Sequence, residues 1–406
     1  MIRTALVGVS GYGRWHLLMA IEQMLLRRIE LAGVTVINPV EQDPICRRLK
    51  RLGVPVFDSF ENMMEALAGR IDLVLIPTAI HCHAPMTLAS LRTGAHVLVE
   101  KPVAATVGEV DTIIDAQESA GRLVAVGYQD LYDPANRDIK RRVMAGDIGR
   151  LRSVRVRGQW PRSADYYTRN DWAGRLRVGD KWVFDSPVNN SFAHFLMLAL
   201  FWAGEKADEI GRIAGLDAEL YRAGRIESFD TASLRIRTGS DVDILLHCTH
   251  AGQEDLRPEV TLVGDDGEIT WTYEHACTVT RRGCAAETHP VATQLDVRLH
   301  VLDAVVDRIE NGTGFVVTPG MVREHTRLIN ALHDLFPIHT LPAEHLQTPP
   351  NGSSAFPRIQ GIDTLLSHAS RRGRLFSEAG VPWARPSSGM RPLRDYPGWT
   401  HQATLS

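Results

Sequence analysis

Arg3-Thr4-Ala5-Leu6-Val7-Gly8-Val9-Ser10-Gly11-Tyr12-Gly13 is a short apolar run that breaks into three glycines. Thr4–Val9 reads as a buried strand, and the pattern from His16 to Arg28 reads as a helix. A glycine-rich turn between a first strand and a first helix is the context a dinucleotide fingerprint requires. Gly8 makes the tight turn, and Gly13 lets the helix pack against the sheet. Ser10 stands where glycine would let the backbone approach a pyrophosphate; serine is small, and its hydroxyl is available to a phosphate oxygen. An ordinary turn is the competing reading. The place of the motif, at the head of an alternating chain, favours a cofactor site built from Gly8, Ser10, Gly11, Tyr12 and Gly13.

Outward from this turn the alternation continues to about Tyr128. Glu30–Ile37, Asp72–Ile76, His96–Val99 and Leu123–Val126 are short, apolar and rich in β-formers. Between them lie helical patterns at Pro44–Leu52, Phe60–Leu67, Ala84–Arg92 and Val107–Ser119. Such alternation builds a parallel sheet covered on both faces, hence an α/β domain over residues 1–128. After a helix at Ala135–Ala145 the rhythm changes to longer strands: Leu151–Gly158, Ala207–Leu216, Phe229–Arg237, Asp241–Thr249, Glu259–Gly264 and Gly267–Glu274. With helices predicted at Asn190–Trp202, Leu295–Glu310 and Pro319–Leu335, residues 129–345 read as an α+β domain with an open, largely antiparallel sheet. Residues 346–406 read as a linker, one helix (Ile359–Arg371) and a turn-rich tail packing on the body.

Composition narrows the function. The 406 residues suffice for two cores, and a net charge of −3 offers no electrostatic case for nucleic acid or an anionic membrane. Five cysteines without a paired framework suit a cytoplasmic protein. A first strand beginning at residue 3 leaves no room for a leader, and no apolar run approaches the roughly 20 residues a bilayer needs.

The chemistry gathers at one sheet edge. Glu100-Lys101-Pro102 follows the strand His96–Val99, and the proline stops it, so Lys101 sits where open α/β sheets bind ligands. A lysine there can face a bound nicotinamide, and Glu100 beside it is expected to touch the cofactor as well. Pro77, Thr78 and His81 follow another strand at the same edge and are expected beside the nicotinamide ribose. The His81-Cys82-His83 triplet has no second ligand pair at zinc-like spacing, so no metal is expected. Asn38 ends the second strand, where an acidic residue would hold a ribose and repel a 2′-phosphate; with asparagine there, NAD and NADP both stay open. Trp160, Tyr167, Arg169 and Trp172 lie in a long loop dense in aromatic and hydrogen-bonding side chains. Aromatic faces suit a sugar ring, and Arg169 also suits a carboxylate; a packed loop is the alternative. Tyr128 falls at the domain junction and is expected to contact substrate.

Gly8–Gly13, His16, Pro77-Thr78 with His81, Glu100-Lys101-Pro102 and Gly146-Asp147-Ile148-Gly149 together resemble the Gfo/Idh/MocA oxidoreductase family over about residues 1–345. The resemblance implies a Rossmann first domain and a second domain whose open sheet forms a homodimer or homotetramer interface. It also implies oxidation or reduction of a sugar, polyol or sugar-acid carbon. In that family an aspartate and a histidine four residues apart join the lysine. Counted back from Gly204, His194 falls on the histidine and Asn190 on the aspartate, with Asp185 as another source of a carboxylate. An i, i+4 pair shares one helical face. On this reading His194 accepts the hydroxyl proton and Lys101 stabilises the developing alkoxide, while Asn190 orients and cannot take a proton. A non-catalytic cofactor-binding sensor, or an enzyme recycling bound NAD for epimerisation or elimination, are the alternatives.

Overall fold

The computed structural model describes residues 1–36, 42–348 and 355–400. By contacts the chain divides into a first unit, residues 1–133 with 294–323, and a second, residues 134–293 with 324–406. The stretch 294–323, which the sequence reading assigns to the second domain, thus groups with the first sheet. Its helix Gln294–Asn311 anchors there through Asp303, Asp307 and Glu310, all three paired with Arg28.

The first unit holds a six-stranded parallel sheet. Its strands are β1 (Ile2–Val7), β2 (Ile29–Thr35), β3 (Val56–Phe57), β4 (Leu73–Ile76), β5 (His96–Val99) and β6 (Val124–Val126), in the order β3-β2-β1-β4-β5-β6. The interior strand β4 is buried from end to end and β5 at every residue but His96, as a sheet covered on both faces demands. The reversal of order falls between β1 and β4, so the loops after β1, β4 and β5 are neighbours at the carboxyl edge.

The second unit is built on a ten-stranded mixed sheet. Following β7 (Leu151–Gln159) and a separate hairpin of β8 (Arg177–Val178) and β9 (Lys181–Trp182), its strands are β10 (Ile213–Arg222), β11 (Thr231–Thr238), β12 (Asp243–Thr249), β13 (Leu256–Gly264), β14 (Gly267–Thr272), β15 (Ala276–Arg281), β16 (Glu287–Pro290) and β17 (Ile338–Thr340). The order is β16-β15-β14-β13-β7-β12-β11-β10-β17, and the short strand Arg391–Pro392 also pairs with β10. Pairing is antiparallel except between β7 and β12 and between β10 and β17.

Two predicted boundaries move. The strand expected at Ala207–Leu216 is β10, six residues later at each end. The chain first turns tightly after the helix Ala193–Trp202: a methyl on Gly204 would stand 2.3 Å from the Glu209 carbonyl oxygen, and the Gly211 N–H bonds the Leu200 carbonyl. The helix expected from Asn190 begins at Ala193. Residues 186–192 form turns instead, closed by Asn190 N–H to the Ser186 carbonyl and Phe192 N–H to the Pro187 carbonyl. Every residue of that helix is buried, and Phe195 and Trp202 pack on Trp271 of β14.

Candidate active site

In the first unit the glycine turn leaves β1 with Gly8 at φ +94° and Gly11 at φ +52°, a backbone glycine adopts without strain. Gly8 N–H is tied to the Thr35 carbonyl at the end of β2, and the helix Gly13–Leu25 starts directly after the turn. A methyl on Gly13 would come within 2.5 Å of the Gly8 carbonyl oxygen, so only glycine allows the helix this close to the turn. Ser10 and Gly11 are exposed, and no acidic side chain lies in the first helical turn. Open backbone before a helix N-terminus suits an anion such as a pyrophosphate. The residues present therefore fit a dinucleotide. Tyr12 is engaged within its own unit: Arg298 Nε donates to its hydroxyl at 3.2 Å, and the hydroxyl donates to Gln129 Oε1 at 3.4 Å. Arg298 in turn lies 4.2 Å over the Trp15 ring. Asn38 lies outside the described residues.

At the neighbouring strand end, Glu100 is buried and points inward. Its Oε1 lies 2.9 Å from His16 Nε2, and its Oε2 accepts the Lys101 N–H at 3.2 Å. Gly127, after β6, faces this carboxylate: a methyl there would stand 2.5 Å from Glu100 Oε1. Glu100, expected to touch a cofactor, thus acts on the loop that carries Lys101. Lys101 itself is half-buried, and its peptide bond to Pro102 is cis. Pro77, Thr78 and His81 are half-buried after β4. The residue joining the two loops is His83, fully buried, with Nδ1 2.6 Å from the Pro102 carbonyl and Nε2 3.0 Å from the Thr78 carbonyl. Burial lowers its proton affinity against the pull of the two carbonyls, and the charge of Lys101 adds to the lowering. Tyr128, read as a substrate contact, is completely buried, and burial beside Glu100 pushes its phenol up. No surface of Tyr128 is open to a substrate.

In the second unit the segment from Tyr166 to Asn190 is knitted together around Asp185. Its Oδ2 accepts Gly174 N–H at 2.6 Å and its Oδ1 accepts the Asn190 amide at 3.0 Å. Asn190 Nδ2 also reaches the Tyr166 hydroxyl at 3.4 Å. Phe184, just before Asp185, is a buried non-glycine at φ +47°, held there by stacking on Trp182 and His333. Such a backbone costs about 1–3 kcal/mol and fixes the direction in which Asp185 departs. Tyr166 lies between two guanidiniums, Arg162 at 4.8 Å and Arg169 at 3.8 Å from its ring centre. Arg169 is also 5.6 Å over Trp172. Trp160 is half-buried, stacked on Phe192 and edge-on to Phe195 and Tyr273. His194 is buried in the first turn of its helix.

Sequence reasoning missed His250 and its pairing with Ser191. His250 is buried at the end of β12, with Nε2 2.6 Å from Ser191 Oγ and Nδ1 3.0 Å from the Tyr167 hydroxyl. Burial and the charges of Arg162 and Arg169 hold it well below the usual imidazole range, so it is a neutral hydrogen-bonding group. Its position after an apolar strand, beside Gly252, was the available signal. Tyr167 also stacks on Phe356 at 4.8 Å. Beside it opens a cavity of about 910 Å³ lined by Gly174, Arg175, Arg222, Arg225 and Ile226 among others. Among the described residues no three His, Cys, Asp or Glu side chains come together to hold a metal, and no helix is long and apolar enough to cross a membrane.

Two family descriptions match this chain: "Oxidoreductase family, NAD-binding Rossmann fold" over residues 2–128 and "GFO/IDH/MocA C-terminal domain" over residues 136–270. The myo-inositol 2-dehydrogenase of Thermotoga maritima is 24% identical over 58% of this chain and 66% of its own length. A protein named for a UDP-kanosamine synthase oxidoreductase subunit in Amycolatopsis mediterranei is 31% identical over 63% of this chain and 75% of its own. The chain spans about half to two thirds of the length of the inositol dehydrogenases it matches. A solved levoglucosan dehydrogenase, in complex with NADH and levoglucosan, shares the fold at a TM-score of 0.69 and 17% identity, covering 82% of this chain and 96% of that one. The glycine turn, the buried Glu100 ahead of Lys101 and the mixed second sheet thus have one common setting, and the chain belongs to the Gfo/Idh/MocA family of oxidoreductases.

Proposed function

We propose that the protein is an NAD-dependent oxidoreductase acting on a hydroxyl-bearing carbon of a sugar, polyol or sugar acid. The observation that carries this reading is the Lys101 loop. A buried His16–Glu100 pair holds the Lys101 N–H at the sheet edge next to a glycine turn that only glycine can make. The family's Rossmann domain is described as NAD-binding, which favours NAD over NADP. Relatives named for inositol and levoglucosan favour a polyhydroxylated substrate.

Bound dinucleotide supplies the hydride acceptor, or the donor in reverse. Gly8, Ser10, Gly11 and Gly13 would hold its pyrophosphate, and Pro77, Thr78 and His81 its ribose. Lys101 hydrogen-bonds the substrate oxygen and stabilises the alkoxide character that develops there. His194 accepts the hydroxyl proton. Asn190 is held by Asp185 and Tyr166 and orients substrate without exchanging a proton. The Tyr166–Arg169–Trp172 cluster supplies an aromatic and cationic wall for the rest of the ligand.

The test is to incubate the purified protein with NAD and a panel of sugars, polyols and sugar acids while following reduced-nicotinamide absorbance. Lys101→Ala is expected to lower turnover by orders of magnitude and leave dinucleotide affinity nearly unchanged. Full turnover in that variant overturns the assignment.

A further inference from the structure

The two faces of the ten-stranded sheet differ in chemistry. Reading the register across β14, β13, β7, β12, β11 and β10, one face runs Trp271–Val260–Val156–Leu246–Leu234–Ala218, all buried. This face receives the helix Ala193–Trp202. The opposite face runs Glu259–Arg157–His247–Ser233–Glu219, with Thr261–Arg155–Leu245–Arg235–Asp217 beside it. It is polar, yet over β10 to β12 it is also buried: Glu219 is 2% exposed, and Ser233 and His247 not at all.

What buries it is the chain's own C-terminal segment. Glu219 accepts both the N–H and the hydroxyl of Ser377, at 3.1 and 2.5 Å. Arg235 forks onto Glu378 at 2.9 and 2.7 Å. Ser387 bonds Asp217, and Arg157 donates to Ser367 at 3.3 Å. Phe376 stacks on His247 at 5.2 Å, and Trp383 stands edge-on to Tyr221 at 4.9 Å. The strand Arg391–Pro392 then pairs with β10.

We infer that residues 355–393 are the resident partner of this sheet face, seated in cis, and that copies of this chain do not associate through β7 and β10–β12. A buried carboxylate or guanidinium is tolerated only when its partners are matched, and the tail matches three of these groups: Ser377 on Glu219, Ser387 on Asp217 and Glu378 on Arg235. A two-fold copy would first have to displace Ser377, Ser387 and Glu378 and replace them with groups of its own in a self-complementary patch. Where the tail does not reach, the same face is self-satisfied. Over β13 to β16 it carries Thr261 paired with Thr270 and Thr278 paired with Thr288, and these stay partly or wholly exposed. On this inference the subunit interface that the family resemblance implies through this sheet is not made by β7 and β10–β12.

The test joins Arg235→Cys and Glu378→Cys with a short bis-maleimide in a mixture of unlabelled and ¹⁵N-labelled full-length chains. Linked peptides are identified by mass, and the linked protein is sedimented beside the unlinked one. Links between peptides of the same label, with an unchanged particle mass, are expected. Mixed-label links, absence of the link, or a fall in particle mass on linking overturns the inference. Hydrogen exchange of the unaltered chain gives a second reading independent of folding in the variant. Protection of residues 373–393 should be the same at protein concentrations differing a hundredfold, and protection that grows with concentration overturns the cis cover. Neither measurement depends on turnover, so a failure here is separable from a failure of the proposed activity.

Discussion

Gly127 has no side chain because the Glu100 carboxylate occupies the space one would fill. Gly127→Ala should therefore push Glu100 off His16 and move the Lys101 loop. Misplacing a reacting group by about 1 Å costs roughly 10²-fold in rate. Turnover of Gly127→Ala should fall by about that factor, with dinucleotide affinity by fluorescence titration little changed. Shortening the acid in Gly127→Ala/Glu100→Asp should restore part of the loss, which a merely unfolded variant would not show. This contact was not legible in the sequence: His16 and Glu100 are 84 residues apart, and only the folded sheet brings them together. Lys101 and the glycine turn were legible because their meaning is local, a strand end followed by a proline or by glycines. His250 and Ser191, 59 residues apart, escaped for the same reason as His16. Asn190 and His194 had the spacing of a helical face, but the turns from Ser186 to Phe192 place Asn190 before the helix rather than on it.

The helix Ala193–Trp202 is apolar on every side, so its ends carry the polar load. Lys140, 1% exposed, closes its C-terminal end by donating to the carbonyls of Phe201 and Gly204. Burial lowers its ammonium to about 8, offset by Glu209, Asp208 and Glu205. Lys140→Ala strands two buried carbonyls, at about 1–3 kcal/mol for an unsatisfied group. We expect a loss of about 2 kcal/mol or more in urea denaturation, with Lys140→Met no better because the missing element is the donor. A variant as stable as the parent would show that water replaces the amine. At this scale the alternation of short strands and helices up to Tyr128 was readable, since each element is set by its own apolar period. The start of β10 was not, because the Gly204–Gly211 turn is fixed by contacts with Glu209 and Leu200. Nor was the burial of a polar sheet face, which depends on a tail more than a hundred residues downstream of most of its partners.

Three histidines of the second unit are held neutral by burial, and together they shape how that unit responds to acid. Burial lowers His247 and His333 to about 3, with Arg235 adding to the effect on His247, and it holds His250 well below the usual range beside Arg162 and Arg169. Unfolded, each takes a proton near pH ~6.5. The unfolded chain therefore binds more protons below that pH, and stability present above it is lost as pH falls. Three such groups give a slope approaching about 4 kcal/mol per pH unit. Asp230 works in the opposite sense. Burial raises it to about 6, so between its unfolded value and 6 it keeps a proton that the unfolded chain has released. The histidine effect is thus cleanest from pH 7 down to 6. Seven of the eight tryptophans, all but Trp15, lie in the second unit, so intrinsic fluorescence reports its unfolding. Denaturant midpoints should fall steadily over that range. His333 is the informative control: its Nε2 has no hydrogen-bond partner among the described residues, and its ring packs on Phe184 and Phe229. His333→Phe keeps the packing and removes one of the three protons, so the pH slope should fall by about a third while stability at pH 8 is retained. A midpoint independent of pH in the parent, or an unaltered slope in His333→Phe, would show that these imidazoles are protonated in the folded chain and that the second unit is held by other means.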